Sequence, residues 1–309
     1  MLHRRGFASL ALGALLVPGA AGAQDWKGQI KEFRIGLLGG ENTADRLKRY
    51  DGFQKLLTEK LGVPVKIYPA ADYAGVMQGF AAGQLDVSEF SPSAFAGTWL
   101  DCQCVEPSVV PREKDGTIDY VSLMIARKDS GIKSLDDMKG HSLAFADPNS
   151  ASGYLIPSAT LRSRGIDLAD GKYFSRVGFA GGHEQGMIAV LNHQYDACFV
   201  WSSGQGDEAT GYSRGVLQSM VSKGMLKMSD ISIIWRSDKI PNGPWALRSS
   251  LPESLKKQFR AIMLDLPTSH PDIYAGIEQG TGVGYQEATL DIYKNMIALR
   301  EAERGANRR

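Results

Sequence analysis

The run Asp147-Pro148-Asn149-Ser150-Ala151-Ser152-Gly153-Tyr154 holds the densest chemistry of the chain. It follows a strand-like stretch and opens a helix. Pro148 and Asn149 suit the turn, and Ser150 is placed to cap the helix start with its hydroxyl. Ser150, Ala151, Ser152 and Gly153 then present free backbone N–H groups at an end carrying about half a positive charge. Such an end binds phosphate-like anions. The hydroxyls of Ser150 and Ser152 add donors, and Gly153 leaves room for close approach. Pro157 is expected to kink or shorten the helix. A second constellation, Gly181-Gly182-His183-Glu184, also joins a strand to a helix. There His183 suits donation to an anionic oxygen or, since imidazole titrates near neutrality, general acid–base work. Cys198 is the candidate nucleophile nearby. It lies mid-strand in Ala197-Cys198-Phe199-Val200, where an inert buried thiol is expected.

The candidate loops share an absence. No Lys or Arg occurs in residues 67–111, 142–161 or 177–213. An anion held there would meet helix ends and hydroxyls rather than counter-charges. A micromolar complex needs about 8 kcal/mol, and hydrogen bonds to a charged group contribute about 1.5–3 kcal/mol each. Five or more donors are therefore expected once ordering costs are met.

The elements that must position these loops alternate. Residues 33–38 read as a strand, 44–61 as a helix, 63–68 as a strand, 73–82 as a helix, 85–90 as a strand and 93–100 as a helix. Apolar residues Phe53, Leu56, Leu57 and Leu61 recur at helical spacing, and Gly62 ends the run. Residues 120–126 and 231–236 are apolar, strand-like and expected to link two lobes. Residues 142–146 open a second series. It repeats the first: an offset of 110 places Asp86 on Asp196, Met77 on Met187, Gln84 on Gln194 and Tyr73 on His183. An offset near 108 places residues 39–43 on 147–151. The alternation predicts an α/β chain of two lobes, each a mixed, mostly parallel sheet with helices on both faces. Ligands of open parallel sheets bind at the carboxyl ends of the strands. Two such ends facing each other make one cleft.

Residues 1–23 read as an export signal. They have a basic start at His3, Arg4 and Arg5, an apolar run over 7–17, and Ala21-Gly22-Ala23 before the expected cleavage. The rest divides as 24–121 with 240–309 in the first lobe and 122–239 in the second. Export across the inner membrane to the periplasm follows. Arg4-Arg5 leaves Sec and twin-arginine export both open. With 35 basic and 34 acidic residues the net charge is +1, which argues against nucleic acid or an anionic membrane as partner. Three cysteines, Cys102, Cys104 and Cys198, with no His beside the C-x-C, give no zinc pattern and leave any disulfide undecided.

Taken together, Asp72-Tyr73-Ala74-Gly75, the 147–153 run, Gly182-His183-Glu184, Ile234-Trp235-Arg236-Ser237 and Ile240-Pro241-Asn242-Gly243-Pro244 resemble, in order and spacing, the periplasmic phosphate/phosphite/phosphonate-binding proteins of ABC importers. The resemblance implies a type II periplasmic binding protein fold whose lobes close on a small anion. It also implies delivery to an ABC membrane permease, with no cofactor and no catalysis. It places Ser150, Ala151, Ser152 and His183 on the phosphonate oxygens, and Tyr73 and Phe90 as aromatics near the ligand. Ala151 stands where the family often has Thr, and Phe90 where Tyr is common. The acidic residues that hold the amine of aminoalkylphosphonates fall near Ser203 and Gly243, which carry no charge. Glu89, Asp207 or Glu208 would have to take their place. Other readings left open are a sensor subunit for the same anion and a phosphorus-ester hydrolase using His183 with Glu184 or Cys198.

Overall fold

The computed structural model describes residues 26–306; the expected export signal lies outside them. Two six-stranded sheets form, one for each series of the sequence repeat. The first half of the chain gives β1 (Phe33–Leu37), α1 (Thr43–Leu61), β2 (Val65–Pro69), α2 (Tyr73–Ala81), β3 (Val87–Glu89), α3 (Pro92–Cys102) and β4 (Val105–Arg112). The chain then crosses to β5 (Asp119–Arg127), β6 (Ser142–Phe145), α4 (Ile156–Ser163), β7 (Arg176–Phe179), α5 (His183–Leu191), β8 (Ala197–Ser202), α6 (Val216–Ser222), β9 (Ile231–Arg236) and β10 (Ile240–Pro241). It returns through β11 (Trp245–Arg248), α7 (Glu253–Ser269), α8 (Pro271–Ile277), β12 (Gly284–Glu287) and α9 (Lys294–Ala306).

The first sheet runs β12-β4-β11-β3-β1-β2, and the second β10-β5-β8-β6-β7 with β9 also on β5. Parallel pairing is confined to the repeated cores, β2-β1-β3 and β7-β6-β8. The remaining pairs are antiparallel, so the sheets are mixed and less parallel than the strand–helix alternation implies. The returning and crossing strands, which the alternation does not register, supply the difference.

The two segments expected to link the lobes are β5 and β9. They pair side by side in the second sheet, from Leu123 opposite Arg236 to Arg127 opposite Ile231. They are apolar because β5 is a central strand buried on both faces. The chain passes between the sheets at residues 113–118 and 242–244.

The repeat extends to atomic detail. Asp86 Oδ2 accepts from the backbone N–H of Arg34, at the start of β1 (2.9 Å), and the Asp86 N–H returns to Arg34 O. Asp196 Oδ2 accepts from Ser142 N–H at the start of β6 (2.7 Å), and its own N–H returns to Ser142 O. Each aspartate thus fixes the register of its first strand. Each helix start also repeats a cap: Asn42 accepts from Asp45 N–H, as Ser150 does from Gly153 N–H. Packing of Phe33, Phe53, Trp245 and Phe259 fills the first core, and of Phe145, Phe174, Phe199 and Trp235 the second. Each large side chain so buried stabilises by about 1.5–3 kcal/mol.

Candidate functional site

Ala151–Leu155 forms a single π-helical turn leading into α4. The wide register shows in Leu155 N–H bonding Ser150 O and Ile156 N–H bonding Ala151 O. Pro157 explains it. Proline has no N–H, so the carbonyls it would have served need other donors. Ser152 O takes the Ser122 hydroxyl (2.6 Å), and Gly153 O takes Ala146 N–H (3.0 Å). The turn is thereby tied to β5 and to the end of β6. Such π-turns concentrate at functional sites.

At its start the Ser150 Oγ accepts from Gly153 N–H at 2.9 Å. The backbone N–H of Ala151 has no acceptor among the described residues, and that of Ser152 has only the Tyr120 hydroxyl to face. Both residues are buried, Ser152 in the wall of a cavity between the sheets, and an orphaned buried donor is costly. Gly153 is required by its surroundings. A Cβ there would stand 2.5 Å from Ala146 Cβ and 2.8 Å from His183 Cε1.

His183, the first residue of α5, is buried and has both ring nitrogens engaged. Nδ1 lies 3.0 Å from Phe199 O, and Nε2 lies 3.1 Å from Ser150 Oγ. A carbonyl only accepts, so Nδ1 carries the proton. Nε2 of the neutral ring is then an acceptor for the Ser150 hydroxyl. Burial pushes the imidazole down to about 4, against the upward pull of the Phe199 hydrogen bond. The expectation that His183 donates directly is thus altered: the neutral ring receives a proton from Ser150.

The cavity encloses about 150 Å³, comparable to an engineered cavity of roughly 150 Å³ that accepts benzene. Ser150, Ser152, His183, Tyr73, Phe90 and Glu89 all line it, so the structure brings together most of the residues singled out by sequence. Tyr73 faces Ser150, and Tyr120 faces Ser152. Burial raises both phenols, Tyr120 to about 12, so they stay protonated donors. Ala151 is fully buried and does not itself line the cavity. Ser203 does not line the cavity; its Oγ pairs with Ser213 Oγ at 2.9 Å. Gly243 does line it, but a Cβ there would fall 1.7 Å from Phe90 O, so no acidic side chain fits at that position.

Tyr120, Tyr50, Trp201, Arg46, Arg49 and Arg214 also line the cavity and were not marked by sequence. Tyr120 begins a strand that the pattern assigns to a linker. The arginines come from α1 and from just past residue 213, outside the cation-free stretches. They are already engaged: Arg46 with Leu38 O and Ala70 O, Arg49 with Glu41, and Arg214 with Glu113 and Glu278. Of the four carboxylates on the cavity wall, Glu41, Glu184 and Glu278 pair with Arg49, Lys223 and Arg214. Glu89 instead accepts from the Tyr50 hydroxyl at 3.2 Å. Burial, reinforced by Glu278, pushes its carboxyl up to about 8.

The two repeats meet across the cavity mouth. Tyr73 N–H donates to Asp147 Oδ2 (3.2 Å), Asn42 N–H to Glu184 Oε1 (3.3 Å), and Ser91 Oγ to Asn149 O (3.0 Å). Gly182 packs so tightly on Gly40 that a Cβ would approach its Cα to 2.1 Å. Away from the site, Cys102 and Cys104 form a disulfide. Cys198 is buried with its thiol pushed up by desolvation and its Sγ against Met187 Sδ. No helix among the described residues is long and apolar enough to cross a membrane.

Residues 35–293 match the family model described as ABC transporter, phosphonate, periplasmic substrate-binding protein. The phosphate-import protein PhnD of Mycolicibacterium smegmatis is 31% identical over 72% of this chain and 68% of its own length. The phosphonates-binding periplasmic protein of Escherichia coli is 30% identical over 80% of this chain and 68% of its own. A crystal structure of a binding protein component of an ABC phosphonate transporter from Pseudomonas aeruginosa superposes with a TM-score of 0.74 and 25% identity, covering 88% of this chain and 86% of that one.

Proposed function

Because the chain belongs to the family of periplasmic substrate-binding proteins of ABC phosphonate transporters, we propose that its inter-sheet cavity captures a small phosphorus oxyanion, a phosphonate or close relative, for a membrane permease. The observation that carries this reading is the capped helix start at the cavity wall, where the Ala151 N–H is unengaged and the Ser152 N–H faces only the Tyr120 hydroxyl. These two N–H groups and the hydroxyls of Ser152, Tyr73 and Tyr120 supply five donors, with Ser150 a sixth when its proton is released from His183. That number meets the requirement worked out from affinity.

His183 tunes this set. In the neutral ring Nε2 takes the Ser150 proton, which is then lost to the ligand. A bound oxyanion raises the imidazole pKa. Once protonated, His183 donates to Ser150 Oγ, whose own proton turns to the ligand oxygen. Capture therefore takes up a proton where the free protein holds His183 neutral. Glu89 lines the same cavity. Its carboxyl lacks a cationic partner among the described residues and is largely protonated at neutral pH, so it serves as a hydrogen-bonding group. The reading is of capture without turnover: both nitrogens of His183 are committed, and the Cys198 thiol lies against Met187.

Trp201 lines the cavity and reports on it. Fluorescence titration with methylphosphonate, aminoethylphosphonate, phosphite, phosphate and sulfate tests the assignment. A saturable response to at least one phosphorus oxyanion, with sulfate weaker, is expected. No response to any phosphorus oxyanion by fluorescence and by equilibrium dialysis refutes it.

A further inference from the structure

Beside the donor wall, the cavity adjoins a buried ionic cluster that the capture chemistry does not use. Arg214 lies between β8 and α6, on the second-sheet side, and is 2% exposed. Its Nη1 donates to Glu278 Oε2 at 2.6 Å, and its Nη2 to Glu113 Oε1 at 2.5 Å and Asn242 Oδ1 at 2.8 Å. Glu278 ends α8, which packs on the first sheet's core. Glu113 follows β4, and Asn242 lies in the return passage. The same seam joins backbones, with Thr281 N–H on Ser213 O (3.0 Å) and Gly215 N–H on Gln279 O (3.2 Å).

The carboxylates are held from the first-sheet side as well. Tyr285 Oη and Trp245 Nε1 donate to Glu278 Oε1 (2.5 and 3.3 Å), and Asn242 Nδ2 donates to Glu113 Oε1 (3.0 Å). The titratable groups facing the cluster offer no substitute cation. From β3 and α1 come Glu89, Tyr50 and Arg49, the last already paired with Glu41. From α8 and β12 come Tyr274 and Tyr285, and from β5 Asp119 and Tyr120. Arg214 is thus the cation on which Glu113 and Glu278 depend. Removing one partner of a buried ionic set strands the remaining charge, whereas neutralising the whole set is tolerated. In an open cleft, water reaches the carboxylates, so the penalty falls on the closed form.

We infer that Arg214 is the bolt of a ligand-independent latch: closing the cleft inserts it between Glu113 and Glu278, and that insertion sets the open–closed balance. Arg214, although on the cavity wall, then acts on capture as a positioning residue through its carboxylate partners. The link to affinity rests on the anion-capture reading; the link to closure does not. The test compares Arg214→Met, the Glu113→Gln/Glu278→Gln pair, and the triple variant. At pH 7.5 Arg214→Met is expected to weaken methylphosphonate binding at least about tenfold, by stranding two carboxylates. The glutamate pair strands the arginine instead and is expected to weaken binding as well. The triple variant returns to within roughly threefold of wild type. Small-angle scattering of ligand-free protein at pH 7.5 should give a larger radius of gyration for Arg214→Met than for the triple variant. A triple variant as weak as Arg214→Met, or equal radii for the two, overturns the latch. If Arg214→Met fails to fold, the triple variant must still bind more tightly than the glutamate pair. If the wild type binds no phosphorus oxyanion, the capture reading fails while scattering still decides the latch.

Discussion

Replacing Ser150 by Ala separates two jobs that the proposed capture gives to one hydroxyl. The first is structural. Ser150 Oγ caps Gly153 N–H and answers His183 Nε2. Losing a cap costs about 1 kcal/mol, and leaving a buried ring nitrogen unpaired costs about 1–3 kcal/mol. Thermal stability should therefore fall by roughly 2–4 kcal/mol. The second job is capture. One hydrogen bond to a charged oxygen contributes about 1.5–3 kcal/mol, so the dissociation constant should rise roughly 10- to 150-fold. Ser152→Ala is the control. Its side chain caps nothing, while its carbonyl keeps the Ser122 bond. Affinity should fall by a similar factor with melting changed by less than about 1 kcal/mol. Calorimetric titration and scanning calorimetry on both variants read the two quantities independently. Wild-type affinity in both variants would refute the assignment of the donor wall. Equal losses of stability would refute the division of labour.

Three further outcomes follow from the same geometry. Gly182→Ala should weaken ligand binding at least about tenfold, because its Cβ meets the Gly40 backbone only when the cleft is shut; scattering that shows normal ligand-induced closure would contradict this. His183 is depressed to about 4 from an ordinary 6.5, so its contribution to stability is complete above pH 6.5 and is lost as pH falls toward 4, by up to ~3 kcal/mol. Replacing it with Asn should flatten that part of the stability profile and remove the proton uptake on binding, measured by titration in buffers of different ionisation enthalpy. Cys198→Ser should leave affinity unchanged, and a large loss would mean that the thiol takes part in the site.

The capped helix start was legible because its physics is local. A capped helix start, serines two apart and a glycine can be read in eight residues. The repeat was legible because Asp86 and Asp196 do the same task for β1 and β6. What sequence could not show depends on long-range packing. The π-turn needs Ser122 and Ala146 to absorb the carbonyls freed by Pro157, and Ser122 lies far from it in sequence. Tyr120 looked like part of an apolar linker because a central strand and a connecting strand share the same pattern. The cation-free stretches were real, yet Arg46 and Arg49 reach the cavity from the face of α1, and Arg214 from one residue beyond a stretch's end. Ser203 was placed by alignment of a pattern alone, and its hydroxyl turns to Ser213 instead.

The central claim is that the Ala151 and Ser152 amides hold the ligand oxygens. Backbone amide NMR of isotope-labelled protein, titrated with methylphosphonate, tests it most directly. The two amide protons should move strongly downfield and gain protection from exchange at one equivalent, ahead of most other residues. If both stay unmoved while a saturable shift appears elsewhere, the anion binds at another place and the account of this site is wrong.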